Sequence, residues 1–523
     1  MTDSTRKIAV ALALAVACSR QLPSPIPTPG PAPPLDSFYY PIGLAVRHQP
    51  PTCRGSYHSG GVLANPQGCQ TELIVASSNF DLQFDSSSGG TVIGVDVSAA
   101  VTFHDQNPTL PPQLLTAANG LIGGARIGSF AGEAAIFDSS TCSTFGSSPT
   151  QVLVPSRSGL ALYRVAINQD GTLTCGADCL VPLDPNLLDP YGVTVTCGVF
   201  PPIAPESGPA AAEKVAFVTY LRSPNLEGWV TPIDLASSGA GSRLASIDVG
   251  SVPTQSAAFD PAAARLFLTE HFSTTNMGSA PFRWLNLAEG TNPSSALTAV
   301  NREFSGLVRG AELRGIALSN DSRRGYLALR LYDVDLASST GARPPTDLTG
   351  ALLVVDLATL GGDGQPTANI INSVNIDRGV SQIRALQRLD PAGNPRTVTD
   401  PVTGQRPMRD LVAVTCTDDN TVILYDDEVG AIVQVFDICG GVPGSENAPP
   451  PCDAGFPLTG QQPFGLATEQ LANGNVRLYV GSFARFWVNV IEIDPANPSV
   501  APVSWTRIGP ENPANSTLTE PVP

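Results

Sequence analysis

Short hydrophobic segments separated by Gly- and Pro-rich turns recur along most of the chain. The clearest set runs from Pro463 to Asp494, where Pro-Phe-Gly-Leu-Ala, Arg-Leu-Tyr-Val-Gly and Val-Asn-Val-Ile-Glu-Ile-Asp follow one another. The last segment alternates with a period of two, which is typical of a β-strand. Three short antiparallel strands are too few to bury their own hydrophobic face. We therefore expect this unit to stack on further copies of itself.

The same pattern recurs at intervals of roughly 60 to 80 residues, which leaves room for four strands with long loops in each unit. The units begin near Gly43, Ala125, Gly192, Pro253, Gly315, Gln382 and Gly465. Repeated four-stranded antiparallel units are typical of a β-propeller. A β-sandwich array would instead show about seven strands per hundred residues. The sequence thus predicts an all-β fold, a β-propeller of seven blades with four antiparallel strands each, over residues 38–510, with a disordered tail over 511–523.

The repeat motifs resemble those of the YVTN or lactonase-like seven-bladed β-propellers. Pro463-Phe-Gly-Leu-Ala, Leu478-Tyr-Val-Gly-Ser and Val490-Ile-Glu-Ile-Asp correspond to the first three strand motifs of that family. The resemblance is good in the first, fifth and last units and poor in the second and third. It implies the propeller fold and, as one activity to consider, a lactonase-like hydrolase with its site at the channel mouth. Such motifs specify a fold rather than a chemistry.

The N-terminus has the features of an export signal. Arg6 and Lys7 precede an apolar run of about ten residues, which is too short to span a bilayer core of about 30 Å. Ala15-Val16-Ala17-Cys18 resembles the bacterial lipobox, in which the cysteine is acylated, although the lipobox usually has Leu where Ala15 stands. We expect a signal peptide over 1–17 and an outer-membrane lipoprotein, bound to the membrane through a lipid on Cys18 only. Periplasmic or secreted protein is the alternative.

Residues 18–37 follow the lipid-attachment cysteine and are rich in proline. Seven prolines lie between Pro23 and Pro34. Such a segment favours polyproline II, which extends by about 3.1 Å per residue. The sequence therefore predicts a stiff spacer between the membrane and the propeller.

The remaining cysteines are typical of an exported protein with disulfides. The chain has 10 cysteines, and Cys416 is expected to be unpaired because it lies in the apolar strand Leu-Val-Ala-Val-Thr-Cys. The disulfide candidates are Cys53, Cys69, Cys142, Cys175, Cys179, Cys197, Cys439 and Cys452. A zinc site at Cys175 and Cys179 is the rival interpretation, but no histidine lies nearby in the sequence.

Charge and motif content exclude several function classes. A net charge of −17 is unfavourable for nucleic acid, which requires clustered Lys and Arg. The four histidines are far apart, and neither an HExxH nor a G-x-S-x-G motif occurs. We expect no metal and no cofactor. The scarcity of catalytic groups favours a non-catalytic binding or scaffold module over an enzyme.

Polar loops after the second strand of several units are the predicted recognition surface, since binding residues are often on loops of a rigid scaffold. The candidates are Asn79, Asp81, Glu270, Arg330, Asp333, Asp418 and Arg485, with Phe486 or Trp487 as an apolar anchor. The expected partner is an envelope protein, peptide or polymer. The alternative is that these residues are merely solvated loop ends.

Aspartate ends the third strand of most units. The residues are Asp96, Asp234, Asp356, Asp426 and Asp494. A ring of acids could bind cations. We favour a local role, in which each carboxylate accepts hydrogen bonds from the following turn.

Overall fold

A computed structural model of the chain describes residues 31–509, except for 50–69, 83, 86, 108–113, 139–149, 201–211, 223–226, 238–241, 251–252, 270–280, 288–299, 304–310, 333–346, 401–403, 440–461 and 472. These residues form 31 β-strands and one α-helix, α1 (Val97–Gln106). No helix in the described ranges is long and apolar enough to cross a membrane.

The strands form seven blades, each with four strands paired in chain order, which confirms the predicted β-propeller. Blade 1 contains β1 (Pro41–Gln49), β2 (Gln70–Ser77), β3 (Gly90–Asp96) and β4 (Leu121–Ile127). Blade 2 contains β5 (Ala135–Phe137), β6 (Gln151–Ser156), β7 (Ala161–Ile167) and β8 (Leu173–Thr174), with β9 (Leu180–Pro182) also paired to β7. Blade 3 contains β10 (Leu188–Phe200), β11 (Ala212–Arg222), β12 (Gly228–Asp234) and β13 (Ile247–Gly250).

The other four blades repeat this arrangement. Blade 4 contains β14 (Ala257–Asp260), β15 (Arg265–Leu268), β16 (Pro281–Asn286) and β17 (Val300–Glu303). Blade 5 contains β18 (Ala311–Leu318), β19 (Arg324–Tyr332), β20 (Asp347–Asp356) and β21 (Ile370–Ile376). Blade 6 contains β22 (Val380–Leu386), β25 (Leu411–Cys416), β26 (Thr421–Asp426) and β27 (Ala431–Asp437), with the hairpin β23 (Thr397–Asp400) and β24 (Gly404–Pro407) inserted after β22. Blade 7 contains β28 (Pro463–Gln470), β29 (Val476–Ser482), β30 (Trp487–Ile493) and β31 (Ser504–Ile508).

The first strands of the seven blades pack side by side in a closed ring around the propeller axis, with β28 of the last blade against β1 of the first. The sequence left open whether Phe38, Tyr39 and Tyr40 add a strand to the last blade. They do not, because β31 pairs with β30 as the fourth strand of blade 7. Phe38 instead packs in the same buried cluster as Ile508. The ring therefore closes by packing between blades, without a shared blade.

The hydrophobic core is divided into layers between neighbouring blades. Along β29, Leu478 and Val480 pack toward blade 6, whereas Tyr479 packs toward blade 1. Because side chains alternate across a strand, each blade contributes to a layer on both of its faces. This explains why the second and third strands are continuously apolar rather than alternately polar.

Glycines near the start of the first strands allow neighbouring blades to approach closely. A Cβ on Gly465 would lie 2.5 Å from the carbonyl oxygen of Ile42, and one on Gly192 would lie 2.3 Å from that of Gln255. Real Cβ atoms do not approach carbonyl oxygens so closely. The Pro-x-Gly motif thus reflects the geometry of the ring.

The predicted start of the second unit is wrong. Ala125-Arg-Ile-Gly was expected to begin it, but Ala125 lies in β4 and pairs with Val92 of blade 1. The true first strand, β5, has only three residues, so it leaves a weak hydrophobic pattern. The helix α1 also separates β4 from β3 and makes β4 look like a new beginning.

The end of the Pro-rich segment lies against blade 1. The carbonyl of Pro33 accepts a hydrogen bond from Arg126 Nε (3.1 Å), and that of Pro31 accepts one from the amide of Asp85 (3.3 Å). The carbonyl of Asp36 accepts one from the amide of Leu115 (2.7 Å). Part of the predicted spacer 18–37 is therefore bound to the propeller. Residues 18–30, including Cys18, lie outside the described ranges.

The aspartates that end the third strands accept hydrogen bonds from the turns that follow, as predicted. Each Oδ1 atom accepts a hydrogen bond from a backbone amide. The acceptors and their donors are Asp96 from Ala99 (3.1 Å), Asp234 from Ala236 (2.9 Å), Asp356 from Ala358 (2.9 Å), Asp426 from Glu428 (2.8 Å) and Asp494 from Ala496 (2.8 Å). Local hydrogen bonds thus involve all five carboxylates, and the buried carboxylate of Asp426 also forms an ion pair with Arg388.

Cysteine pairing agrees with the predictions where the structure describes it. Cys175 and Cys179 form a disulfide, which excludes a zinc site made by their thiolates. Cys416 is buried and unpaired. Cys197 and Cys439 are also disulfide-bonded. Those ranges also omit the candidates Cys53, Cys69, Cys142 and Cys452.

Candidate functional site

Where the structure describes them, the connections between second and third strands lie at one end of the propeller, together with those that lead into the first strands. We call this end the loop face. Contacts between the two kinds of connection show that they are close: the amide of Phe130 donates to the carbonyl of Ser78, and the amide of Thr417 donates to that of Gly379 (2.8 Å). The predicted recognition residues that the structure describes, Asn79, Asp81, Arg330, Asp418 and Arg485, lie at this end of the propeller, but their exposure differs.

Asn79 is fully buried and shapes its loop. Its Nδ2 donates to Ser129 Oγ (2.7 Å) in the next connection and to the carbonyl of Phe84 (3.3 Å), while its Oδ1 accepts from the amide of Phe84 (3.2 Å). It also adopts a left-handed backbone conformation, with φ of 49°. The structure therefore gives Asn79 a supporting role rather than a place on the surface.

Asp81 is exposed on the same loop. Its Oδ2 accepts a hydrogen bond from the hydroxyl of Tyr40 (3.0 Å). Burial, and then the charge of Asp81, raise the pKa of Tyr40 well above its usual range, so this hydroxyl remains a donor at neutral pH. Asp81 thus presents a fixed carboxylate at the surface.

Arg330 and Asp418 form an ion pair between blades 5 and 6, with 3.2 Å between Nη2 and Oδ2. Asp418 is about half exposed, and the neighbouring Asp419 pairs with Arg378 (2.6 Å). Exposed pairs of this kind contribute little to stability. They form a polar rim on the loop face. The remaining polar candidates, Glu270 and Asp333, lie outside the described residues.

The predicted apolar anchors are buried. Phe486 is 1% exposed and Trp487 is 3% exposed, and the guanidinium of Arg507 lies over the Trp487 ring at 4.6 Å. Arg485 lies in the turn just before them and is partly exposed. Phe486 and Trp487 therefore support this part of the face from beneath.

Phe80 takes the exposed position that the sequence analysis assigned to Phe486 or Trp487. Its side chain is 51% exposed, and Leu82 on the same loop is 47% exposed. The Phe80 ring rests on three aromatic rings, those of Tyr40 (6.1 Å), Phe130 (5.8 Å) and Phe483 (5.5 Å). We call these five residues the aromatic patch. Phe80 could have been predicted from the sequence, since it lies between the predicted residues Asn79 and Asp81.

Apolar side chains from three blades meet at the propeller axis. The ring of Tyr191 in blade 3 lies 6.5 Å from that of Phe464 in blade 7, although blades 1 and 2 separate these blades around the ring. Ile42 and Leu221 complete the cluster, with Phe483 at its edge. We call it the axial apolar cluster. It occupies the axis next to the loop face.

A set of polar side chains also meets around the axis. Ser256 Oγ donates to Glu133 Oε1 (2.6 Å), which links blades 4 and 2. Arg314 Nη1 donates to Gln255 Oε1 (2.6 Å), and Arg384 of blade 6 interacts electrostatically with Glu133. We call these five residues the axial polar layer. No sequence pattern reveals this layer, because its members lie in four different blades with no common spacing.

Two charges of the axial polar layer, those of Glu133 and Arg384, are only partly compensated. Burial raises the pKa of Glu133, and Arg384 lowers it only in part. Burial likewise lowers the pKa of Arg384, against the attraction of Glu133. The described residues contain no group of three or more His, Cys, Asp or Glu that could hold a metal ion. Arginines and a carboxylate are instead suited to binding a polar organic group.

Comparisons with known proteins give similarity in fold only. No protein-family model matches the chain, and a search of curated proteins found no similar sequence. Solved structures that resemble it include the Dos1 propeller (8% identity, TM-score 0.42, 91% of this chain and 88% of that chain). Others are a provisionally named 6-phosphogluconolactonase from Bacteroides fragilis (12%, 0.37, 70% and 80%) and hydrazine synthase from Kuenenia stuttgartiensis (12%, 0.36, 69% and 83%). At these TM-scores none carries an argument about this chain, and the YVTN resemblance stays a prediction.

Proposed function

We propose that this protein is a non-catalytic propeller of the cell envelope, anchored by a lipid on Cys18, that binds a protein or peptide through the loop face. The observation that carries the proposal is the aromatic patch. Phe80 and Leu82 are about half exposed on a base of packed rings, with the carboxylate of Asp81 between them. Contiguous exposed apolar patches often mark interaction sites.

The patch has the composition of an interaction surface. Aromatic residues at the centre with polar residues around them are typical of binding sites between proteins. The rigid base limits the conformational entropy that Phe80 loses when a partner covers it. Asp81 and the net charge of −17 favour a segment with an apolar side chain next to basic ones. An envelope polymer is the alternative ligand.

The test uses the full-length, lipidated protein as bait in envelope extract. Phe80→Ala should reduce recovery of the specific partner at least tenfold, since central aromatic anchors contribute about 2 kcal/mol or more. Val429→Ala is the matched control, because Val429 is 69% exposed and lies in the β26–β27 turn at the opposite end. Equal recovery of every partner by the wild type and both variants would contradict the proposal.

Charge complementarity provides a second readout. Asp81→Lys should weaken the binding of a partner that has basic residues. This loss of affinity should be smaller at high salt, because salt screens exposed charges. A partner that is retained by Asp81→Lys but lost by Phe80→Ala would place the contact on the aromatic rings alone. Recovery of a polysaccharide rather than a protein would replace the proposed ligand class.

A lactonase-like hydrolase is the second candidate, and the axial polar layer is the observation that favours it. Glu133 could accept a proton, and Arg384, which interacts electrostatically with it, could stabilise an oxyanion. The purified protein should then hydrolyse members of a lactone panel, tested with and without calcium, and Glu133→Gln should abolish the activity. Absence of hydrolysis across the panel would leave the binding function.

A further inference from the structure

We propose that the axial polar layer, together with Tyr191, is a binding site for a small organic carboxylate that also carries a hydrogen-bond donor. This site is separate from the aromatic patch. It is formed by first-strand residues and by residues just before those strands, from blades 2 to 6. An experiment can therefore support or contradict this site independently of the loop-face proposal.

The first observation is the hydroxyl of Tyr191. Tyr191 is 3% exposed, and within the described part of the chain its hydroxyl has no hydrogen-bond partner. Buried polar groups are nearly always hydrogen-bonded, and an exception requires an explanation such as a bound molecule. The charges that act on this hydroxyl are those of Glu133, Arg157 and Arg314. The hydroxyl thus lies among the charged groups of the axis.

The second observation is the guanidinium of Arg384. It is half-buried, and its Nη1 donates to the carbonyl of Ile383 (2.9 Å). The guanidinium has five N–H donors, and the carboxylate that acts on it electrostatically is that of Glu133. A partly buried cation without a close anion is unfavourable. A ligand carboxylate would satisfy this side chain in the bidentate geometry that guanidinium groups favour.

The third observation is the remaining capacity of Glu133. One of its oxygens accepts from Ser256 Oγ (2.6 Å), and its carboxylate also accepts from the backbone amide of Val193. An ionised carboxylate has about four acceptor sites, so further donors can be accommodated. A hydroxyl or amino group on the ligand would occupy them. This requirement distinguishes a hydroxy or amino acid from a simple fatty acid.

The local charge supports an anion over a cation. Three arginines, Arg157, Arg314 and Arg384, face two glutamates, Glu133 and Glu312, and Glu312 is already paired with Arg314 (3.1 Å). The axis therefore has a positive excess within a chain of net charge −17. Small anions are attracted to such a site even though the outer surface repels them.

The experiment measures binding of lactate and propionate to the full-length protein by calorimetry, since the two differ by one hydroxyl group. We expect saturable binding of lactate, with propionate at least fivefold weaker. Arg384→Gln should weaken lactate binding about tenfold or more, and Tyr191→Phe about threefold or more. Arg323→Gln removes the same charge from an exposed turn and should leave the affinity unchanged.

Three outcomes would overturn the proposal. They are absence of saturable lactate binding, equal affinity of wild type and Arg384→Gln, and equal affinity for lactate and propionate. Melting temperatures of the variants separate a lost site from a lost fold. A crystal structure with lactate should place its carboxylate at the Arg384 guanidinium and its hydroxyl at Glu133. Water molecules alone in that position would also refute the site.

Discussion

The backbone amide of Asn320 in blade 5 donates a hydrogen bond to Asp410 Oδ2 in blade 6, at 2.9 Å. Asp410 is 4% exposed, and burial is the main cause that raises its pKa to about 7 from 3.8. At a pH between these two pKa values, Asp410 is protonated in the folded protein and ionised in the unfolded chain. The free energy of unfolding therefore falls as pH rises from about 4 to 7. This carboxyl is thus favourable when protonated.

Asp410→Asn should therefore stabilise the protein increasingly over that pH range. Asparagine keeps an oxygen for the Asn320 amide and removes the buried charge. The stability difference should widen from pH 4 and level off above pH 7, at up to about 4 kcal/mol. Denaturant unfolding at several pH values measures it. Asp248→Asn, which removes an exposed carboxylate, is the control; a similar widening there would show that net charge is the cause.

Gly465→Ala should weaken the contact between the last blade and the first. The added Cβ would lie 2.5 Å from the carbonyl oxygen of Ile42, so the strands must separate, at a cost of about 1 to 3 kcal/mol. Gly362→Ala is the matched control, because nothing lies within 4 Å of its added Cβ. We expect it to be neutral or slightly stabilising. Equal thermal shifts would contradict close packing at Gly465.

Cys439→Ser should destabilise the protein more than Cys416→Ser. Loss of a native disulfide costs about 2 to 5 kcal/mol in exported proteins. Cys416 is unpaired, and a serine there keeps Thr421 as a partner. Thermal unfolding compares the two. The reverse order would show that the pairing is wrong.

The thiol of Cys416 should also be unreactive in the folded protein. It is fully buried in β25, and burial raises its pKa well above the usual value. A thiol reagent should modify it only after unfolding, because the thiolate is the reactive form. Comparison of wild type with Cys416→Ser identifies this group. Rapid modification of the folded wild type at this site would contradict the burial.

Cys18→Ser should abolish lipid attachment and release the protein from the membrane fraction. The physical reason is that the acyl chains provide the only expected anchor. Labelling cells with a fatty-acid analogue measures attachment directly. Cys416→Ser should remain labelled. Labelling of the Cys18→Ser variant would place the lipid elsewhere, and absence of labelling in the wild type would favour ordinary secretion.

The blades were predictable where strands are buried on both faces. The predicted apolar strand Leu-Val-Ala-Val-Thr-Cys coincides with β25 (Leu411–Cys416), in which every residue is buried. Outer strands lack this signal, as in β21, where most side chains are exposed or partly exposed. The misplaced start of blade 2 has a different cause, because the outer strand β4 contains the buried residues Ala125 and Ile127 and the inner strand β5 has only three residues. Hydrophobic pattern reports burial rather than position in a sheet.

The sites were predictable only in part. The described loops follow the second strands as predicted, whereas Arg330 lies within β19 (Arg324–Tyr332) and pairs from there with Asp418. The burial of Asn79 depends on Ser129, fifty residues later in the chain, which no local pattern reveals. The axial polar layer depends on closure of the whole ring. Residues that meet across the propeller axis have no regular spacing in the sequence.

The attachment of Pro31 to the loop containing Phe80 has a consequence for where binding can take place. If Cys18 carries the lipid, only the twelve residues 19–30 separate the membrane from a propeller fixed at that loop, a reach of about 37 Å in polyproline II. The aromatic patch would then encounter partners in a thin layer beside the bilayer rather than throughout the surrounding solution. Confinement raises the effective concentration of any partner fixed in that layer, so a weak contact could be fully occupied there.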